Sequence, residues 1–202
     1  MVTQIFILIF LKHMMIIGIT GPIASGKSEV ARVLIDKGFI RHSLSDEVRE
    51  EARKRGMPIE RKVLQDIGNE MRKKEGLSYW AKRVISKITT ENNYIVDGIR
   101  NPGEIEELQK LGNFILIGVK APMERRVEWI KERHKDSDPN TIEGITFIDS
   151  RDRGKGEEVA GQQVDACYEK IDLEIINDGS LEELRKKIEG IIEEQMQKGI
   201  IE

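Results

Sequence analysis

The chain has 202 residues, 39% hydrophobic and 34% charged, with 33 Lys and Arg against 36 Asp and Glu for a formal net charge of −3. That length fills one α/β domain with a real core and is short for two. The composition excludes a disordered chain, the acidic balance argues against polymeric nucleic acid as a partner, and the single Cys167 excludes an internal disulfide or a cysteine-based zinc site and fits a reducing, cytoplasmic setting.

The first residues carry a continuous apolar run, Ile5 to Leu11. It falls short of the roughly 20 apolar residues that a membrane span needs, and it lacks the charge and cleavage site of a signal peptide. Two readings stand open. Residues 1–14 are an extension from a misplaced start codon, with Met14 or Met15 the natural start, or the run is an extra edge strand or partner-binding segment. The remainder, 15–202, reads as a single domain.

From there strands and helices alternate. Met15–Thr20 is a buried strand. Gly26–Lys37 is a helix with Val30, Val33 and Leu34 on one side and Gly38 as its stop. Phe39–Ser43 is a second strand, after which Ser45 is expected to cap a helix whose first turn holds Asp46 and Glu47. Glu60–Lys74 and Ser78–Thr90 are two more helices. Tyr94–Asp97 is a third strand, Gly103–Lys110 a helix and Phe114–Lys120 a fourth strand. Pro122 opens a helix reaching about His134. The polar stretch 135–161, rich in Gly, Asp and Arg, is expected to be a mobile loop or lid. Gln162–Lys170 is helical, Leu173–Asn177 is the fifth strand, and Ser180 caps a last helix with Leu181, Leu184, Ile188 and Ile191 on one face. Five strands separated by helices predict an α/β fold, a parallel sheet with helices on both faces.

Gly21-Pro22-Ile23-Ala24-Ser25-Gly26-Lys27-Ser28 is G-x-x-x-x-G-K-S between a strand and a helix, the setting of a phosphate-binding P-loop. Glycines let successive N–H groups turn toward one phosphate, and the helix N-terminus adds positive charge. Gly21, Ala24, Ser25, Gly26, Lys27 and Ser28 are therefore the expected ATP-binding residues. Lys27 is placed to reach the β- and γ-phosphates, and the Ser28 hydroxyl to ligate Mg²⁺. No guanine-reading N/T-K-x-D element follows, and the length is small for a motor or an AAA-type ring protein; a compact kinase fits.

Val96-Asp97-Gly98-Ile99-Arg100 ends a strand where an open parallel sheet binds ligands. Asp97 is expected at the metal, with Ser28, and Arg100 at the acceptor's anion. Asp46 and Arg49 open the helix after the second strand; Asp46 is a candidate proton acceptor for a hydroxyl and Arg49 an acceptor-binding cation. Arg125, Arg126, Arg133, Arg151 and Arg153 surround the predicted lid. Two of them are expected to reach the transferring phosphates, Arg133 and Arg153 being the candidates named here as catalytic, beside Lys27, Asp46 and Arg100. His134 reads as a polar helix end, Trp129 and Cys167 as packing.

Four segments together resemble the P-loop nucleotide kinases, the family that includes nucleoside monophosphate kinases and dephospho-CoA kinases: GPIASGKS at Gly21–Ser28, SLSDEVRE at Ser43–Glu50, VDGIRNPGE at Val96–Glu104 and IINDGSLEEL at Ile175–Leu184. The resemblance implies a three-layer sandwich on a five-stranded parallel sheet in the order 2-3-1-4-5. It also implies a helical acceptor-binding insertion at about 45–90 and an arginine-bearing lid at 135–161. It puts Asn177 and Gly179 close to the adenine of ATP and Arg100 on the acceptor. Glu60–Ser78 lacks the His-Pro element of dephospho-CoA kinases, and the Asp-Gly-x-x-Arg segment lacks the Pro of adenylate kinases. A nucleoside or deoxynucleoside monophosphate, dephospho-CoA, and a regulatory ATPase without a metabolite acceptor therefore all remain open. A homodimer is admitted by the sequence without being required.

Overall fold

The computed structural model describes residues 14–133 and 141–198, apart from the side chains of Arg133 and Met196. The predicted extension, Met14 excepted, and His134 lie outside these residues. Five strands, β1 (Ile16–Thr20), β2 (Ile40–Ser43), β3 (Tyr94–Ile99), β4 (Phe114–Lys120) and β5 (Leu173–Ile176), form one sheet in the order β2-β3-β1-β4-β5, and every pairing is parallel. This is the fold class and strand order expected above.

The helices described are α1 (Lys27–Asp36), α2 (Leu44–Lys54), α3 (Arg61–Glu75), α4 (Tyr79–Ile85), α5 (Pro102–Gln109), α6 (Met123–Arg133), α7 (Ile142–Asp152), α8 (Val164–Tyr168) and α9 (Leu181–Gln197). Alternation along β1 feeds two cores. Ile17 and Ile19 pack with Val30 and Leu34 of α1 and with Leu184, Ile188 and Ile192 of α9. Ile16 faces the opposite side, among Leu44, Ile67, Trp80, Val84, Ile105 and Leu108. A strand buried on both faces reads as a continuous apolar run, which is why IIGIT is legible as a central strand. Met14 is partly buried and packs against the second core.

The stretch expected to be a mobile loop contains α7. Thr141 caps it by accepting a hydrogen bond from Gly144 N at 3.1 Å. Ile145 and Ile148 turn inward onto Ile23 of the phosphate loop and Ile130 of α6. The apolar spacing of a packed helix thus lies inside a segment whose overall composition is that of a loop. The structure also moves the cap of α2. The helix begins at Leu44, with Ser43, in extended geometry, at the N-cap position rather than Ser45.

β3 runs two residues beyond Asp97. Its register with β1 shifts between Ile19, opposite Asp97, and Thr20, opposite Ile99, leaving Gly98 as the extra residue of a bulge. Gly98 has φ +83°, and a Cβ there would lie 2.8 Å from Ser45 Oγ. A side chain is excluded twice over, by backbone geometry and by the approach of α2. The bulge presents Asp97 and Arg100 at the C-terminal edge of the sheet, beside the phosphate loop. Among the described residues no helix is long and apolar enough to cross a membrane.

Candidate active site

The phosphate loop joins β1 to α1. Ala24 is the one non-glycine among the described residues at positive φ, +57°, and Gly26 sits at φ +103°. A Cβ on Gly26 would meet Asn177 Nδ2 at 2.5 Å, and one on Gly21 would run into the carbonyl of Val119. Asn177 is buried and donates to Ser25 O at 3.1 Å, while its own N–H donates to Lys120 O at 2.7 Å. Asn177 therefore buttresses the loop from β5. Gly179 lies just before α9, against Glu183.

Lys27 folds back into the loop, its ammonium donating to Gly21 O at 2.9 Å and Pro22 O at 2.6 Å. Burial, and after it the neighbouring Arg100 guanidinium, lower its pKa from the ordinary 10.5 to about 7, against the opposing pull of Asp97 and Asp152. A cation held so far below its ordinary value lacks a compensating anion, which is what a phosphate would supply. Ser28, the next residue, is exposed on the first turn of α1.

A cavity of about 150 Å³ is lined by the loop residues Ala24 to Ser28, by Arg41, Ser43, Ser45 and Arg49, and by Arg61, Asp97, Gly98 and Arg100. It shares Ser45, Arg49, Arg61, Gly98 and Arg100 with a narrow slot of about 30 Å³. The slot runs between α2, α3 and α4 and is walled by Leu44, Val48, Leu64, Gly68 and Trp80. The expected acceptor insertion thus forms a pocket that opens onto the phosphate loop.

Asp97 Oδ2 accepts from Arg41 Nη2 at 2.7 Å, and its Oδ1 is buried without a partner among the described residues. Asp46 is exposed, accepts from Arg49 at 2.7 Å, and lines neither the cavity nor the slot. Arg100 is buried, pairs with Asp152 at 2.5 Å and donates to Gln162 Oε1 at 2.9 Å. Burial alone would lower its pKa, but the charge and hydrogen bond of Asp152 outweigh that and raise it.

The lid arginines divide. Arg126 is buried, bound to Asp149 at 2.5 and 3.2 Å, and donates to Ile23 O at 3.1 Å. It holds the phosphate loop to α7 rather than waiting to close on it. Arg151 bridges Glu157 at 2.6 Å and Asp66 of α3 at 2.9 Å. Arg153 pairs with Asp165 at 3.0 Å and lines a separate cavity of about 520 Å³ beside Pro22, Lys120 and Tyr168, not the one that holds Lys27. Arg125 lies near the Trp129 ring on the surface. The side chain of Arg133 lies outside the described set.

Sequence reasoning missed Arg41, Arg61, Gln65, Asp152 and Gln162. Arg41 was visible as a cation within the second strand. Asp152 was visible as an acid between two arginines, Arg151 and Arg153. Gln65 and Gln162 carry no local signal; only packing brings them to Arg100. A further buried pair, Arg72 and Glu104 at 2.8 Å, ties α3 to the start of α5, where Glu104 also accepts from the N–H groups of Arg100 and Asn101.

A family profile described as an AAA domain matches residues 17–146, from β1 into α7. The chain is 34% identical over 183 residues to the UPF0200 protein of Methanosarcina mazei, covering 89% of this chain and 94% of that one. It is 35% identical over 177 residues to the UPF0200 protein of Sulfurisphaera tokodaii, covering 88% and 95%. Among solved structures, a shikimate kinase from Acinetobacter baumannii in complex with shikimate superposes with a TM-score of 0.57 at 16% identity, over 93% of this chain and 96% of that one. The architecture is thus that of P-loop kinases, and the chain belongs to the UPF0200 family, with an AAA domain in its matched residues.

Proposed function

We propose that the protein is an ATP- and Mg²⁺-dependent phosphotransferase that moves the γ-phosphoryl group of ATP to a small, anionic, nucleotide-type acceptor, with a nucleoside or deoxynucleoside monophosphate as the first reading. The observation that supports it is the shared boundary of the two cavities. Arg49, Arg61 and Arg100 border both the phosphate-loop cavity and the slot, so an anion in the slot lies next to whatever the loop holds.

The residues present fit ATP with magnesium. Gly21 and Gly26 leave no room for a Cβ, as a loop that brings its backbone up to a phosphate requires. Ser28 and Asp97 line one cavity, and Asp97 keeps one buried oxygen unengaged. When bound, ATP supplies the transferable group and Mg²⁺ neutralises charge on its phosphates. The chain's own part is positioning and electrostatics. Lys27 turns from the loop carbonyls to phosphate, the arginines hold the acceptor anion, and the apolar wall of the slot keeps water out.

A second reading has its own observation. A hydroxyl acceptor, dephospho-CoA among them, needs a base, and Asp97, with one buried oxygen unengaged, lines the cavity where Asp46 does not. ADP release with ATP and each monophosphate in turn, and with dephospho-CoA, tests both. Turnover that depends on one acceptor is the expected result. ATP hydrolysis indifferent to every acceptor would overturn both in favour of a regulatory ATPase.

A further inference from the structure

Gln65 lies on α3, is 1% exposed, and lines the slot. Its amide is oriented by two groups on α7 that can only accept. Nε2 donates to Asp152 Oδ1 at 2.6 Å and to Ile148 O at 3.3 Å. Turning the amide over would set Oε1 against both, so the network fixes which end faces the slot. Oε1 is then buried with no hydrogen-bond partner among the described residues. In the same wall, Gln162 Oε1 accepts from Arg100, and Arg72 pairs with Glu104. A buried acceptor left unmade is costly, and a donor brought by a ligand would relieve it.

We propose that Gln65 is the specificity-determining residue of the acceptor slot, its Oε1 accepting a hydrogen bond from a hydroxyl of the acceptor that lies close beside the acceptor's anionic group. This rests on the slot being the acceptor site. Two features select that class. At about 30 Å³ the slot has room for one or two water-sized groups and not for a ring. And Gln65 and Arg100 hold the two oxygens of one carboxylate, Asp152, so the donor that meets Gln65 sits near the anion that meets Arg100. In a nucleoside 5′-monophosphate the group within such reach of the phosphate is a ribose hydroxyl, not the base. The slot therefore takes nucleotides that keep the ribose hydroxyl beside the phosphate in preference to analogues that lack that hydroxyl, with little regard for the base.

The test is equilibrium binding, without ATP, of AMP, CMP, GMP and UMP and of their 2′-deoxy and 3′-deoxy analogues. Removal of one hydroxyl is expected to weaken binding at least about tenfold for every base alike. Gln65→Leu should bring that ratio close to one, and so should Gln65→Met, which keeps the length of the side chain without an acceptor oxygen. Should Gln65→Leu fail to fold, the wild-type ratio and Gln65→Met decide. Equal affinity for ribo and deoxy forms, an unchanged ratio in Gln65→Leu, or failure of all four ribonucleotides to bind would each overturn the inference. Because binding is read without transfer, hydroxyl-dependent binding that leads to no phosphorylation upholds this inference and removes the kinase reading, and transfer without hydroxyl dependence does the reverse.

Discussion

Arg100, at the end of β3, and Asp152, at the end of α7, meet at 2.5 Å with the Asp152 side chain wholly buried. The pair fastens the segment that the sequence presents as a lid to the wall of the narrow slot beside the phosphate loop. Gln65 and Gln162 extend the same network to α3 and to the turn before α8.

Asp152→Ala should therefore be costly to stability. It strands a buried guanidinium, and breaking such a pair from one side typically costs about 3–5 kcal/mol. Urea unfolding measures it. The cost should also depend on pH. Burial works to raise the Asp152 pKa, but Arg100 and Arg61 outweigh it and hold the carboxyl below its ordinary value. A depressed carboxyl contributes stability that is present above the unfolded value, about 4, and is lost as pH falls through the folded value. The gap between wild type and Asp152→Ala should accordingly shrink in acid; a gap that widens there would contradict the pairing.

Lys27 gives a pH dependence of the same sign in a different window. Its pKa falls from 10.5 unfolded to about 7 in the ligand-free fold. Between those values the unfolded chain binds the extra proton, so this residue's contribution to stability rises with pH from about 7 to about 10.5. Lys27→Met should flatten that rise. Phosphate in the loop favours the ammonium, so ATP binding near pH 8 should take up protons, approaching one per site. Calorimetry in two buffers of different ionisation enthalpy reads that uptake directly. It should vanish in Lys27→Met, and equal uptake in both proteins would refute the assignment.

How far the sequence discloses this site follows from how local each signal is. The phosphate loop is legible because its strand, glycines and helix are contiguous. The capping box of α5 is equally local: Asn101 accepts from Gly103 N while Glu104 accepts from Asn101 N. Asp97 and Arg100 are legible because the C-terminal end of a strand is where an open parallel sheet is expected to meet its ligand. α7 is not, since Gly144, Asp149 and Arg151 weigh toward a loop while only Ile145 and Ile148 carry the packed face. The network around Arg100 is least legible of all, for its partners Asp152 and Gln162 come from α7 and the turn before α8, Gln65 joins through Asp152 from α3, and no pattern short of the tertiary fold brings them together.

Arg126 and Arg125 are adjacent in sequence and opposite in consequence. Arg126→Ala leaves Asp149 buried and unpaired and should cost about 3–5 kcal/mol. Replacing both partners, Arg126→Leu with Asp149→Leu, should recover most of that, since an apolar pair carries no desolvation penalty. Nucleotide affinity should stay reduced even so, because Ile23 O of the phosphate loop has lost its donor. Arg125→Ala, on the surface, should stay within about 0.5 kcal/mol of wild type. Thermal melts and ATP titrations of the three variants are the measurement. Full recovery of both properties in the double variant would show that the loop does not depend on Arg126.

Asp97 and Asp46 separate the acceptor classes. Asp97 lines the cavity with one oxygen on Arg41 and one unengaged; Asp46 lies outside, exposed, on Arg49 and, at 3.6 Å, on the same Arg41. Suppose the acceptor is a hydroxyl. Then Asp97→Asn removes the base and should cut kcat by roughly 10²–10⁴-fold, with the acceptor KM little changed. Suppose instead that it is a monophosphate, already a nucleophile. No proton need leave, and what Asp97→Asn loses is charge near the metal, a smaller effect that added magnesium should offset. In both cases Asp46→Asn should matter little beyond loosening Arg49, raising the acceptor KM by a fewfold at most, because an exposed ion pair is worth about 1 kcal/mol or less. The two variants are to be compared for kcat and KM across magnesium concentrations with the acceptor found by screening. A larger kcat loss in Asp46→Asn than in Asp97→Asn would return the base to the helix after β2, and would mean that α2 turns its first carboxylate inward when the acceptor binds.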